Sequence, residues 1–144
     1  MRVVVQRCSN ACVTVDSKVV GKIDNGLMLL VGFCDNDNID TINYMAKKIV
    51  NLRIFPDEEN VMNKSLLDVN GSILSVSQFT LYADTKKGNR PSYINALKSD
   101  KAEKLYLEFN KVLSTYTKVE SGIFGSDMDV SFTNKGPTTI ILER

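Results

Sequence analysis

The stretch LMLLVGF, residues Leu27 to Phe33, decides the fold class. It contains no charged side chain, and an apolar run of this length predicts a strand that is buried on both faces. The turn signal Asp24-Asn25-Gly26 precedes it. After it the pattern changes, because from Ile39 onward the apolar residues recur at helical spacing, with Asp37 or Asn38 available as N-cap.

Further strands are predicted on both sides of this segment. They are Arg2 to Cys8, Ala11 to Val15, Lys18 to Ile23, Arg53 to Phe55, Leu66 to Val69, Ser72 to Tyr82, Met128 to Thr133 and Thr138 to Leu142. Ser9-Asn10 is a possible break between the first two, and Asn70-Gly71 predicts a hairpin. A second helix is predicted along Ala102 to Tyr116, with Asp100 and Glu103 spaced as a capping box.

The resulting order is strands, helix, strands, helix, strands, which predicts one α/β (mixed α+β) domain over residues 1–144 with a mixed β-sheet. Two helices cover only part of such a sheet. We therefore expect the remaining apolar sheet face to be buried in a homodimer.

The amino-acid composition excludes several classes of function and catalytic mechanism. The chain has 18 Lys and Arg against 17 Asp and Glu, so the strongly basic balance of many nucleic-acid-binding proteins is missing. It has no histidine, which excludes Ser-His-Asp and Cys-His catalysis and histidine-containing metal sites. Cys8, Cys12 and Cys34 lie in apolar stretches and indicate reduced core cysteines. No metal or cofactor site is expected. No apolar run approaches the roughly 20 residues of a membrane span, so a cytoplasmic protein is expected.

Two segments are unusual for their positions. Ser77-Gln78-Phe79-Thr80 places polar side chains in an apolar strand pattern, as either a solvent-exposed strand face or the polar floor of a pocket. Gly136-Pro137 is either a turn between the last two strands or a rigid backbone wedge, with a cis or trans peptide bond.

Five segments, in register along the whole chain, carry a resemblance to a known family. They are Met1 to Arg7, Ser77 to Asp84, Lys87 to Ser92, Ser121 to Met128 and Asn134 to Pro137. Together they resemble the D-aminoacyl-tRNA deacylases. Thr138 is a departure, because an aliphatic residue is expected after the Gly-Pro pair.

The resemblance implies a homodimeric hydrolase that cleaves the ester between a D-amino acid and the 3′-terminal adenosine of tRNA. It also implies removal of glycine from mischarged tRNA. In this family, chiral selection is attributed to a cis Gly-Pro pair inserted into the pocket of the other subunit, here Gly136-Pro137. Arg7 is then expected to brace the pair through its five donors, the alternative being an ordinary surface arginine.

The catalytic residues implied are Ser77, Gln78, Phe79 and Thr80. No histidine is present to activate Thr80 as a nucleophile, so backbone amides of this segment are expected to stabilise the oxyanion while the ribose 2′-hydroxyl helps to activate water.

Lys86, Lys87 and Arg90 are expected either to contact tRNA phosphates or to form a solvated loop. Three other functions stay open at this point. They are a non-catalytic tRNA-binding dimer, an esterase for a small acyl ester, and a paralogue with a trans Gly-Pro bond that deacylates a small L-aminoacyl-tRNA.

Overall fold

The computed structural model describes residues 1–144. Its strands are β1 (Arg2–Val15), β2 (Lys18–Gly32), β3 (Phe55–Pro56), β4 (Met62–Lys64), β5 (Ser72–Ser77), β6 (Val119–Ser121) and β7 (Asp129–Glu143). Its helices are α1 (Ile39–Val50), α2 (Ser99–Ser114) and a 3-10 helix over Phe79–Tyr82. Neither α1 nor α2 is long and apolar enough to cross a membrane.

The main sheet has five strands in the order β6-β5-β2-β1-β7. Strand β1 pairs antiparallel with β2 and with β7, whereas β5 pairs parallel with both β2 and β6. Strands β3 and β4 form a separate antiparallel pair. The predicted mixed sheet with two helices, in the predicted order, is confirmed.

The apolar residues form two clusters on opposite faces of the sheet. The larger cluster joins β1, β2 and β5 to the buried sides of α1 and α2, with Leu27, Leu29 and Val31 at its centre. The smaller cluster, on the face without helices, includes Met28 and Leu74. The strand over Leu27 to Phe33 is therefore buried on both faces, as its sequence predicts.

Helix α1 begins where the sequence indicates. The side-chain oxygen of Asn38 accepts hydrogen bonds from the backbone N–H groups of Asp40 and Thr41, at 3.0 and 3.1 Å. The alternative cap, Asp37, instead accepts a hydrogen bond from the N–H of Cys34. Helix α2 begins without the predicted capping box, because Asp100 lies inside its first turn and the N-cap is Lys98.

The predicted breaks at Ser9-Asn10 and at Asp24-Asn25-Gly26 are wrong, because β1 continues through the first and β2 through the second. The chain passes Asn10 with a φ of +52°. At Gly26, φ is +148°, and a Cβ there would collide with the backbone of Ser72 on β5. Glycine therefore permits the close approach of β5 to β2 rather than a chain reversal.

The predicted hairpin at Asn70-Gly71 is also wrong. Asn70 has the positive φ (+49°) that such a turn favours, but residues 66–70 form a turn and β5 pairs with β2 instead. Strand β5 ends at Ser77, five residues earlier than predicted, where the 3-10 helix follows.

The last two predicted strands are one strand, β7, that runs through Asn134-Lys135-Gly136-Pro137. Thr139 pairs with Gln6 and Asn134 pairs with Cys8, so residues 135–138 bulge opposite Arg7 alone. All peptide bonds are trans, so the expected cis Gly136-Pro137 bond is wrong for this structure. Gly136, with a φ of +116°, bends the chain at the bulge, and an edge strand tolerates a proline because it needs no inward N–H there.

Candidate active site

The turn that follows β5 leaves two backbone N–H groups without an acceptor in the chain. The N–H of Gln78 is bound to the carbonyl of Val31 at 2.7 Å. The 3-10 helix then begins with a hydrogen bond from the N–H of Leu81 to the carbonyl of Gln78 at 3.3 Å. The N–H groups of Phe79 and Thr80 lie inside this first turn, so the helix gives them no acceptor. These two adjacent N–H groups have no hydrogen-bond partner within the chain; Phe79 lines the cavity described next, whereas Thr80 lies beside it and does not line it.

The hydroxyl of Thr80 is occupied by its neighbour. The side-chain amide of Gln78 donates a hydrogen bond to Thr80 Oγ1. No histidine exists in the chain, and no carboxylate or lysine is bonded to Thr80. The geometry therefore leaves the hydroxyl a donor and gives it no base that could make it a nucleophile.

A cavity of about 660 Å³ opens beside this turn. It is lined by the ends of β2 and β5, including Ser77, Gln78 and Phe79, and by residues 96–99 and 124–128. The ring of Phe79 is 58% exposed and meets the ring of Tyr93 edge-on, with centroids 5.0 Å apart. An open cavity with backbone donors and aromatic walls can hold a small polar group attached to a flat ring.

Sequence reasoning missed Tyr93, Phe124 and Met128 as lining residues. Phe124 and Met128 belong to the segment Ser121 to Met128 that carries the family resemblance, so that motif was the available signal. Tyr93 had none, because it lies in an irregular loop after Pro91.

Buried polar contacts hold the end of β5 in place. The hydroxyl of Tyr106 on α2 donates to the carbonyl of Ser75 at 2.8 Å, and burial raises the pKa of this tyrosine above its ordinary value. The same carbonyl accepts from the N–H of Gly122 at 3.0 Å. Helix α2 and the loop after β6 are thereby fixed to the strand that carries Ser77.

The 3-10 helix is held against the sheet by Arg2. This side chain donates to the carbonyl of Leu81, and its guanidinium carbon lies 4.9 Å from the centre of the Tyr82 ring. Below the helix, Gly32 leaves space for the chain, because a Cβ there would lie 3.0 Å from the carbonyl oxygen of Gln78. The position of the free N–H groups is therefore set by β1 and β2.

Arg7 connects β1 to the bulge of β7. Its Nε donates to the carbonyl of Lys135 at 3.1 Å, and its Nη1 donates to the carbonyl of Ile54 at 2.6 Å. A Cβ at Gly136 would lie only 2.5 Å from Arg7 Nη2. The guanidinium thus packs against the backbone just before Pro137.

Within one chain, the candidate residues do not form one site. Arg7 and Gly136 line a second cavity of about 990 Å³, whereas Ser77, Gln78 and Phe79 line the first. Pro137 is exposed and lines neither.

The basic loop stands apart from both cavities. Lys86, Lys87 and Arg90 are exposed and line neither of them. The base of the loop is closed by two backbone hydrogen bonds between Asp84 and Ser92, at 2.7 and 2.9 Å.

Comparison with known proteins agrees with this architecture. The model of the family described as D-Tyr-tRNA(Tyr) deacylase matches residues 4–143. A solved structure titled "c-Myc DNA Unwinding Element Binding Protein" shares 39% identity, covers 100% of this chain and 99% of its own, and superimposes with a TM-score of 0.94. Another, titled "Structural Analysis of a probable eukaryotic D-amino acid tRNA deacylase", shares the fold at 21% identity, with coverage of 98% and 97% and a TM-score of 0.83.

The chain therefore belongs to the D-Tyr-tRNA(Tyr) deacylase family. It is a hydrolase that deacylates D-aminoacyl-tRNA.

Proposed function

We propose that this chain hydrolyses the D-aminoacyl ester through backbone donors and the substrate's own ribose. The observation that carries the proposal is the pair of N–H groups of Phe79 and Thr80, which the 3-10 helix leaves without acceptors. In the transition state they donate to the ester carbonyl oxygen as negative charge develops on it.

The reaction needs no covalent enzyme intermediate. Water adds to the ester carbonyl carbon, and the adjacent 2′-hydroxyl of the terminal adenosine helps to remove the proton of that water. The bond between the carbonyl carbon and the 3′-oxygen then breaks, and the 3′-oxygen takes up a proton. Free D-amino acid and tRNA with a 3′-hydroxyl result.

The test is a D-Tyr-tRNA that ends in 2′-deoxyadenosine. Loss of the 2′-hydroxyl is expected to slow hydrolysis by about 10² or more, the range of a positioned general base. The control carries the 2′-deoxy substitution one nucleotide earlier and is expected to react normally. An unchanged rate with the terminal 2′-deoxy substrate would contradict the proposal.

We propose that the Gly136-Pro137 backbone selects the D configuration from the second subunit of a homodimer. Arg7 supports this, since it binds the carbonyl of Lys135 directly before the pair. Within one chain, Gly136 and Phe79 line different cavities, so a second copy is needed to bring them together. A backbone wedge rejects an L side chain whatever its identity, which suits a proofreading enzyme with many substrates.

The homodimer is supported by the sheet face that lacks helices. Val4 pairs with Leu30 on β2 and with Ile141 on β7, so the three side chains form one apolar row on that face. Ile141 is 63% exposed. Sedimentation should give a mass twice the 16.1 kDa of the chain, and Ile141→Lys should give the monomer.

Glycyl-tRNA is a further proposed substrate, because glycine has no side chain for a backbone wedge to reject. We place the activity in the cytoplasm, as the compartment in which a proofreading enzyme meets aminoacyl-tRNA.

A second candidate function follows from the trans Gly136-Pro137 bond. A wedge in this geometry presents a different backbone surface, and a pocket opened in this way would admit a small L-amino acid. Deacylation of L-Ala-tRNA at a rate comparable to that of D-Tyr-tRNA would establish this second function, and no cleavage of L-Ala-tRNA would exclude it.

A further inference from the structure

The second cavity concentrates positive charge. Arg7, Lys22, Lys118 and Lys135 line it together with a single carboxylate, Asp24. The whole chain carries a net charge of only +1. This cavity, the lysine cleft, is therefore much more positive than the rest of the protein.

Three of the four cations are available to a ligand. Lys22, Lys118 and Lys135 are exposed, and neither Lys22 nor Lys135 forms an ion pair. Lys118 lies 3.0 Å from Glu120, and its side chain remains 64% exposed. Arg7 is bound to backbone carbonyls and shapes the wall of the cleft.

The remaining surface of the cleft is open and mixed, because the apolar side chains of Ile23, Phe55, Pro56 and Val69 line it together with polar ones. Asn25, Asn70 and Ser72 line it, beside the glycines Gly26 and Gly71. A broad cleft of about 990 Å³ with exposed lysine ammonium groups beside polar side chains suits a sugar–phosphate backbone, because the lysines can contact its phosphates.

The candidate active site lacks such a surface. Among its lining residues, one lysine, Lys98, is balanced by one carboxylate, Asp127. This site therefore provides no net attraction for phosphates, and a polynucleotide substrate needs a positive surface elsewhere.

The lysine cleft is near enough to serve the same substrate. Ser72, at the start of β5, lines the cleft, and Ser77, at its end, lines the active site; five residues of strand span about 17 Å. Gly136, which the proposed function brings to the ester, also lines the cleft.

We propose that the lysine cleft binds the sugar–phosphate backbone of the acceptor arm of the tRNA substrate, through Lys22, Lys118 and Lys135. This assignment rests on the proposed function, and it replaces the loop of Lys86, Lys87 and Arg90 as the main phosphate-binding surface.

The first test is binding of uncharged tRNA, which needs no catalysis. The variant carries Lys22→Gln, Lys118→Gln and Lys135→Gln together. The matched control carries Lys47→Gln, Lys48→Gln and Lys104→Gln, three exposed lysines on the helices with the same change of charge. Affinity is measured between about 50 and 200 mM salt.

The cleft variant is expected to bind roughly 10- to 100-fold more weakly, with the slope of log affinity against log salt reduced by about 2–3, while the control matches the wild type. An unchanged slope in the cleft variant overturns the proposal. So does an equal loss in the control, or a larger loss when Lys86, Lys87 and Arg90 are replaced instead.

The second test separates the cleft from the chemistry. D-Tyrosyl-adenosine carries the same ester but no phosphate. In the cleft variant, the ratio of kcat/KM for D-Tyr-tRNA to that for D-tyrosyl-adenosine should fall at least tenfold, through KM. A constant ratio overturns the cleft assignment. If the wild type cleaves neither ester, the proposed function fails, and the binding test still decides the cleft.

A DNA duplex of similar length is the specificity control. Weaker binding of DNA than of tRNA at equal salt is expected. If both bind equally tightly and both depend equally on the three lysines, the cleft is a general polyanion surface and the assignment to tRNA is wrong.

Discussion

The side-chain amide of Gln78 donates a hydrogen bond to the hydroxyl of Thr80. The hydroxyl oxygen that would have to attack an ester is thus already an acceptor, and no base lies next to it. This contact supports a mechanism in which the residues after β5 contribute their backbone rather than a nucleophile.

Replacing Thr80 should therefore have a small effect. Thr80→Ala keeps the backbone N–H and removes the hydroxyl and the γ-methyl group, so kcat for D-Tyr-tRNA should fall less than about tenfold. Single-turnover hydrolysis measures this directly. A loss of three decades or more, about 4 kcal/mol of barrier, would show that the side chain itself takes part in the reaction.

Gly32→Ala should lower kcat for D-Tyr-tRNA. A Cβ at Gly32 would lie 3.0 Å from the carbonyl oxygen of Gln78 and would displace the turn that carries the free N–H groups. At least a tenfold loss of kcat is expected. Gly21→Ala is the matched control, because its Cβ would also lie 3.0 Å from a backbone oxygen, that of Ser121. Equal losses in the two variants would count against the assigned role of the turn.

Arg7→Lys should weaken chiral discrimination. Lysine keeps the positive charge but cannot bond to the carbonyls of Ile54 and Lys135 with fixed geometry. The bulge before Pro137 then loses its support, and hydrolysis of L-Tyr-tRNA should rise relative to D-Tyr-tRNA by roughly tenfold. Paired rate measurements on both esters check this. An unchanged ratio would mean that Arg7 does not position the wedge.

Stability should fall above pH 9 because of Cys8. Burial, only partly offset by a hydrogen bond to Met28, raises the pKa of this thiol from 9.0 to about 11. The folded state therefore retains the proton that the unfolded chain releases, and stability declines between about pH 9 and 11 by roughly 2–3 kcal/mol. Urea unfolding across this range measures the slope. Cys8→Ala should flatten the slope, and an equally steep decline in Cys8→Ala would contradict the assignment.

The sequence predicts which segments form strands and helices better than it predicts which strands pair with each other. The strand over Leu27 to Phe33 and the helix that begins at Ile39 are both found as predicted. A strand buried on both faces is continuously apolar, whereas a helix buried along one side has apolar residues every three or four positions, so the two patterns are easy to tell apart. The hairpin predicted at Asn70-Gly71 is wrong because a residue with a positive φ indicates a turn but does not show which strand pairs with the one that follows. The partner of β5 is β2, and Gly26 permits the close approach of the two backbones.

The candidate site is predictable only where a motif marks it. Ser77, Gln78 and Phe79 line the candidate cavity, and the signal that marked them in the sequence was the polarity of Ser77 and Gln78 in an apolar pattern. Tyr93 comes from an irregular loop, and the lysine cleft is assembled from residues far apart in the sequence, such as Lys22 and Lys135. Such a cluster has no local signal, since only strand pairing brings its members together.

The most direct test of chirality-selective deacylation is to measure hydrolysis of D-Tyr-tRNA and L-Tyr-tRNA, side by side, at catalytic concentrations of the enzyme. Rapid release of D-tyrosine is expected, while the L-ester stays intact over the same time. Equal cleavage of both esters, or cleavage of neither, would contradict a chirality-selective deacylase built on the Gly136-Pro137 backbone and the free N–H groups of Phe79 and Thr80.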